Sequence, residues 1–437
     1  MKMQHHYHPI RSILHMSKII IKSIIFVIVL CSTPQASDFS LNNSIKQLQD
    51  ILLKNPRKTE EISESLINQW LDIRSFNEAI FGSYLRESLE SYKNVLTPEK
   101  FNRLVKQYQT ELDESFRKKL VTDLNTLLST TDLKRLSITS MGINGSMKTV
   151  TLDIQSDSFP NNVELLMDPK SEKLSIIDVK VDENHLSEYY QKRFKNIIKN
   201  LYSLPVLTAH FSDSDYIKLE DFSVTPVGEL PLDWGSWRKK DQGKPMPYQI
   251  EGDSTRYLAA RDSGYSVILG KFLHWNPLEY PLLTWCWRAT HLPPGGNEFI
   301  DNANDSAVGL YVIFSQNWLR VPKQLKYVWS STLPLDTIGR RKKMFRPWFF
   351  VKESGDKNLN YWQFEVVDLE NDHKLKLGGK PANRTIGLGI LSDANSTKSY
   401  AEGYYADFRA WKRPNEGLKT ISDHCGSLRK QLKQPDD

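Results

Sequence analysis

Two short loops concentrate oxygen-bearing side chains. Asp301, Asn304 and Asp305 crowd one of them, and Asp393 and Asn395 crowd another just after an apolar run. Carboxylate and amide oxygens gathered in this way are what a calcium ion takes as ligands. They equally hydrogen-bond the hydroxyls of a sugar whose ring stacks on tryptophan, here Trp285, Trp287 or Trp329. The same residue types close turns by accepting bonds from nearby backbone amides, so the readings stay open at this point. His274, His291, Asp305 and Asp393 can be assembled into a hydrolytic site on paper. The chain offers no nucleophile elbow, zinc motif or paired-glutamate pattern to support one, so no catalytic residue, metal site or cofactor is assigned. Arg256, Arg288 and Arg346 are of the type that forks onto a phosphate or carboxylate, with surface ion pairing as the ordinary use.

The elements that must carry these residues fall into two halves. Residues 72–124 are helical and rich in Phe, Tyr and Leu. Phe101, Leu104, Tyr108, Leu112 and Phe116 recur at the spacing of one helix face, and Thr97 and Pro98 before them are a good N-cap and a good first helical residue. Phe76, Ile80 and Tyr84 make a second stripe. Strand-like runs follow at 134–155, 161–168 and 173–181. Along them Val150, Leu152 and Ile154, then Val163 and Leu165, then Ile177 and Val179 alternate on one face. Taken singly, each of these residues reads as ordinary core. From Phe222 tryptophan becomes frequent and short apolar runs alternate with Pro, Gly, Asn and Asp turns, the punctuation of an all-β region. Strands are predicted at Leu282–Ala289, Ala307–Phe314, Lys326–Ser331, Thr385–Leu391 and Gly403–Ala410, with Trp285 and Trp287 sharing one face.

At 437 residues the chain exceeds what one core usually supports. We divide it into a leader at 1–36, an α+β unit at 38–203, a linker at 204–215, a β-sandwich at 216–413 and a frayed polar tail at 414–437. Lys18 and Lys22 flank the start of the short apolar run Ile24–Cys31, and small and polar residues follow through Ala36. That layout is a secretory signal, with Met16 as a plausible start and cleavage expected after Ala36. A lipoprotein signal at Cys31 and an uncleaved anchor are the alternatives. The formal charge is +6, but residues 1–36 hold four basic side chains and no acid, leaving 54 basic against 52 acidic residues beyond them. Nothing there suits nucleic acid. Cys286 and Cys425 remain after the leader. A disulfide is open to them in an oxidising compartment, though Cys286 reads more simply as a small core residue and Cys425 as part of a polar tail.

Over residues 72–200 the order of motifs resembles the periplasmic phospholipid-shuttle family of the MlaC or toluene-tolerance type. Phe76, Ala79, Phe81, Gly82 and Tyr84 stand for its first helical pattern, with Phe81 where the family usually has Leu. Thr97, Phe101, Tyr108 and Phe116 stand for its long helix. Asp178, Val179, Tyr189, Tyr190, Arg193 and Phe194 stand for its last strand and helix. The family's Trp before that strand and its Gly-Val-Ser after it are missing; Ser175, Glu183 and Asn184 stand roughly there. The resemblance implies an NTF2/cystatin-like cone whose helices and sheet enclose acyl chains. Phe76, Ile80, Leu104, Tyr108, Leu112, Phe116, Val150, Leu152, Ile154, Val163, Leu165, Ile177 and Val179 would line it. It further implies a periplasmic, non-enzymatic carrier of phospholipid between an inner-membrane ABC transporter complex and an outer-membrane lipoprotein complex.

The stretches YPLLTWCWRATHLPPGG, DNANDSAVGLYVIF, LKYVWSSTLP and RTIGLGILSDANSTKSYAEGYYADFRAW resemble a family of bacterial secreted β-domains of unknown function. That likeness implies a jelly-roll sandwich of the carbohydrate-binding type, with Trp285, Trp287, Asp305, Trp329, Asp393 and Asn395 as candidate contacts to a glycan or other ligand. An envelope carbohydrate-binding protein and a hydrolase of envelope polymers are the competing expectations.

Overall fold

The computed structural model describes residues 59–128, 135–144, 147–155, 162–167, 176–181, 184–236, 238, 241, 243–319, 321–342, 346–417 and 420–432. The leader read from Lys18, Lys22 and Ala36 lies outside them. Among the described residues no helix is long and apolar enough to cross a membrane. The chain forms mixed α and β structure with several antiparallel sheets. It divides into two compact units, residues 1–85 with 108–199, and residues 86–107 with 200–437.

The first unit contains helices α1 (Thr59–Trp70) and α2 (Ile73–Phe81). Asp72 starts α2 by accepting the Ser75 amide at 3.0 Å, and Gly82, at a φ of 51° that disfavours other residues, ends it. Helix α3 (Tyr84–Ser88) and a 3₁₀ turn (Glu90–Asn94) lead to α4 (Pro98–Leu128). The predicted Thr97-Pro98 start is observed. Leu104, Tyr108, Leu112, Phe116 and Leu120 of α4 form one buried stripe; residues up to Gln107 belong to the second unit.

Strands β1 (Arg135–Asn144), β2 (Met147–Gln155), β3 (Asn162–Met167), β4 (Ile176–Val181) and β5 (Asn184–His185) pair in sequence order as an antiparallel sheet. Helix α5 (Leu186–Lys199) follows. Asp178 ties strand to helix: one carboxylate oxygen accepts the amides of Val179 at 2.8 Å and Ser187 at 3.2 Å, and the other accepts Ser187 Oγ at 2.7 Å and contacts His185 Nδ1 at 2.9 Å.

The second unit opens with a correction. Residues 204–215 were expected as a linker, yet Leu204–Phe211 is a helix, α6, burying Leu204, Val206, Leu207, Ala209 and Phe211. Pro205, read as a linker residue, sits in its first turn, where the missing N–H costs nothing. Next come β6 (Tyr216–Glu220), β7 (Gly235–Ser236), β8 (Tyr248–Glu251), β9 (Tyr257–Asp262), β10 (Leu269–Phe272), β11 (Leu282–His291), β12 (Val308–Gln316), β13 (Pro322–Ser330), β14 (Ile338–Gly339), β15 (Trp348–Ser354) and β16 (Gln363–Asp368). Helix α7 (Leu369–Leu377), β17 (Gly387–Ile390), β18 (Ala401–Trp411) and helix α8 (Gly426–Gln431) complete the unit. One sheet runs β14-β15-β13-β12-β17-β10-β7; the other runs β16-β11-β18-β9-β8, with β6 also paired to β18.

All five predicted strands of this half are observed, and the region has the character of a β-sandwich. Trp285 and Trp287 on β11 meet Tyr327 and Trp329 on β13 across the two sheets, at ring separations of 5.6 and 6.4 Å. Gly403 on β18 lets the sheets approach here, because any Cβ would overlap Val308.

The tail is the second correction. Cys286 and Cys425 form a disulfide with Cα atoms 5.8 Å apart. It anchors α8 across the outer face of the six-stranded sheet, where Cys425 and Leu428 join Tyr257, Trp362, Tyr404 and Ala406 in a buried cluster. Local polarity at 414–437 did not reveal that Cys425 and Leu428 bury apolar surface against residues far away in sequence.

Candidate functional site

The first unit gathers most of the apolar residues that the sequence marked. Phe76, Ile80, Tyr108, Leu112, Phe116, Val163, Leu165 and Val179 are all between 0 and 5% exposed. The ring of Phe116 lies 6.1 Å from Phe76, 5.7 Å from Phe81 and 5.0 Å from Tyr190, and Phe194 stacks on Tyr190 at 5.9 Å. One aromatic cluster thus joins α2, α4 and α5. Phe81, Tyr190 and Phe194 were read as family markers but not as lining; their signal was already in the motif.

Backbone register sets Val150, Leu165 and Val179 in one row across β2, β3 and β4, with Leu152 and Val163 in the next. The side chains of Val150, Leu152 and Ile154 lie outside the described residues. Leu104 is buried but falls in the second unit. Ile177 is a correction: it is half-buried, and Ile176 is the fully buried residue. A register shift between Leu166 and Met167 changes the alternation of β4, which a strict period of two cannot anticipate.

The second unit disposes of its marked residues differently. Trp285, Trp287 and Trp329 are completely buried between the sheets. They are core, not a platform for a sugar, because the pleat points these positions of β11 and β13 at the facing sheet. Asp305 is buried and accepts the amides of Ser396 at 3.2 Å and Thr397 at 2.6 Å, together with Thr397 Oγ1 at 2.7 Å. Asp393 accepts the Asn395 amide at 3.3 Å. Burial first, and Asp305 second, raise its carboxyl above the usual range. Asp262, which the sequence reading passed over, accepts four amides in the same region, from Gly264, Tyr265, Ser266 and Ala394. These carboxylates are engaged in closing turns, so Asp305 and Asp393 present no cluster of free oxygens. Asn395 is exposed, and Asp301 pairs with Arg341 at 3.1 Å.

The residues of the paper hydrolase have separate partners. His274 is buried against the Thr385 carbonyl at 2.7 Å, and burial, then Arg384, hold its imidazole down at about 4. His291 is exposed and meets Glu402 at 3.2 Å. Arg256 donates to the carbonyls of Gly252 and Asp253. A charged group not singled out beforehand is Lys271 on β10, whose Nζ lies 2.7 Å from both Glu220 and Asp233 in a buried setting. Burial opposes its charge, but Asp233 and Glu220 more than compensate and hold its pKa above the ordinary lysine value. Trp234 Nε1 donates to Glu220 at 2.8 Å and the Tyr92 hydroxyl donates to the Asp233 carbonyl at 3.0 Å, completing a structural network.

Residues 233–409 match the family described as "Protein of unknown function (DUF3047)". No curated protein matches the chain. Among solved structures, a phospholipid-binding protein from Ralstonia solanacearum in complex with a phospholipid is 14% identical. That alignment covers 45% of this chain and 93% of the other at a TM-score of 0.28. The xyloglucanase domain of NopAA, a type three effector from Sinorhizobium fredii, in complex with cellobiose, is 10% identical over 44% of this chain and 100% of its own, at a TM-score of 0.25. Carbohydrate-binding modules of the β-sandwich superfamily are 8% identical over 63% of this chain and 98% of their own, at 0.21.

Proposed function

We propose that the chain is an exported envelope protein whose first unit binds phospholipid by its acyl chains. It would pass lipid between an inner-membrane ABC transporter complex and an outer-membrane lipoprotein complex, while the appended β-sandwich engages a further ligand or partner. It acts as a carrier, not an enzyme. The observation that supports this reading is the concentration of apolar side chains from α2, α4, α5 and one face of the small sheet. Phe76, Leu112, Phe116, Val163, Leu165 and Val179 are all withdrawn from water there. An acyl chain entering among such groups gains about 0.8 kcal/mol for each buried CH₂, which is how a carrier holds a lipid without charge complementarity.

Native mass spectrometry of the full chain, exported in a bacterial host, tests the reading. Phospholipid should accompany the folded protein, and Leu112→Lys should strip most of it, since an ammonium beside an acyl chain must be desolvated at a cost of several kcal/mol. Lys195→Gln, at an exposed position, should leave the lipid in place. Circular dichroism must show that the Leu112 variant still folds. Folded wild-type protein that never carries lipid, or a folded Leu112→Lys that carries as much, would make these stripes plain core and end the proposal.

A further inference from the structure

The end of the six-stranded sheet where β11 finishes and its neighbours β16 and β18 begin holds an arginine that has no ion-pair partner among the described residues. Arg288 points to the outer face, opposite Tyr404 on β18 in the strand register. Its guanidinium carbon lies 4.1 Å from the centre of the Tyr404 ring and 5.4 Å from that of Trp362, just before β16. Its Nε is buried and has no hydrogen-bond partner.

The acids nearby are committed elsewhere. Glu402 accepts Arg261 Nε at 2.8 Å and the Tyr404 hydroxyl at 2.6 Å, and meets His291 at 3.2 Å. Glu251 takes two nitrogens of Arg261, at 2.6 and 3.2 Å. Arg429, the other arginine near Trp362, donates Nε to the Trp362 carbonyl and pairs with Asp423 at 2.8 Å. Burial lowers the pKa of Arg288, with Tyr404, Tyr257 and Glu402 opposing less strongly. The guanidinium is still cationic, because arginine does not deprotonate in proteins.

A desolvated guanidinium flanked by two rings, with no carboxylate bound to it among the described residues, has terminal nitrogens that suit a planar oxyanion. What surrounds it decides which kind. Three rings lie at this same end of the sheet and stay open to solvent. Tyr361 precedes β16 and Tyr400 precedes β18, 48% and 37% exposed, and His291 ends β11 with its ring 5.4 Å from that of Tyr400. Exposed rings at the same end of the sheet as an arginine with no ion-pair partner match a ligand with apolar sugar faces and a carboxylate.

We propose that this end of the six-stranded sheet binds an acidic saccharide, with Arg288 receiving a uronate carboxylate and Tyr361, Tyr400 and His291 contacting the sugar rings. The site lies wholly in the second unit and does not rest on the first unit carrying lipid.

Calorimetric titration of the full chain with oligogalacturonate tests it, with the methyl-esterified oligomer and inorganic phosphate as separate arms. Oligogalacturonate should bind, its methyl ester should bind at least about tenfold more weakly, and phosphate should neither bind comparably nor compete at equal concentration. Arg288→Met, which keeps the length of the side chain but not its charge, should weaken binding by about 10- to 100-fold in a variant that circular dichroism shows to be folded. Tyr400→Ala changes an exposed ring, so it should fold normally and also bind less. Absence of oligogalacturonate binding, equal binding by Arg288→Met, or equal affinity for the ester would overturn the proposal. Phosphate binding as tight as the oligomer would show a generic oxyanion site and overturn the saccharide assignment.

Discussion

Opening the Cys286–Cys425 bond should cost the second unit a large part of its stability. The disulfide links residues 139 positions apart. In the chain-entropy account, closing a loop of that length removes denatured-state freedom equivalent to about 5 kcal/mol at 25 °C, near the top of the 2–5 kcal/mol typical of native disulfides. The folded side adds to this. Cys425 and Leu428 are buried against Tyr257, Trp362 and Tyr404, so α8 leaves apolar surface exposed if it detaches once untethered. At a urea slope near 3 kcal/mol per molar, the unfolding midpoint should fall by roughly 1.5 M. The assay is urea unfolding followed by tryptophan fluorescence, comparing the wild type with Cys286→Ser, Cys425→Ser and the double variant. Because the single changes remove the same cross-link, all three variants should shift alike. A double variant whose midpoint lies within about 0.3 M of the wild type would show that the cross-link does not constrain the unfolded chain and that the reasoning is wrong.

Two further outcomes follow from buried charge in the second unit. Glu365, which accepts Trp287 Nε1 at 3.1 Å, is pushed up from 4.5 to about 8 by burial. Because its folded pKa is raised, the protonated form belongs to the folded state, and this contribution is fully present below pH 4.5 and is lost as pH rises to about 8. Glu365→Gln should match the wild type near pH 4 and exceed its stability at pH 8 by a few kcal/mol; parallel unfolding curves at the two pH values check this, and an unchanged difference refutes it. Lys271→Met strands Glu220 and Asp233 without a counter-charge and should cost roughly 3–5 kcal/mol, largely recovered when Glu220→Gln and Asp233→Asn are added. Urea midpoints measure both, and no recovery in the triple variant would place the loss in packing.

The local chemistry of this chain was legible in its amino-acid order. The Thr97-Pro98 start of α4, the stripe from Leu104 to Phe116 and the five strands of the second half follow from caps, periodicity and turn residues, all of which act within a few positions. Burial of Phe76, Leu112, Phe116, Val163 and Leu165 was legible for the same reason. Which face of a strand meets another sheet was not. Trp285, Trp287 and Trp329 looked like a sugar platform until the packing of β11 on β13 enclosed them, and Asp305 looked like a ligand until the distant amides of Ser396 and Thr397 occupied its oxygens. Ile177 gave way to Ile176 because a single bulge reverses alternation. Cys425 sits in a polar stretch, and its pairing with Cys286 depends on where α8 lands after more than a hundred intervening residues. The unused Nε of Arg288 belongs to the same class. Arginine as a residue type announces a positive charge, but whether an acid reaches it depends on long-range strand pairing, which sets the neighbours of each side chain and is written nowhere in the local pattern.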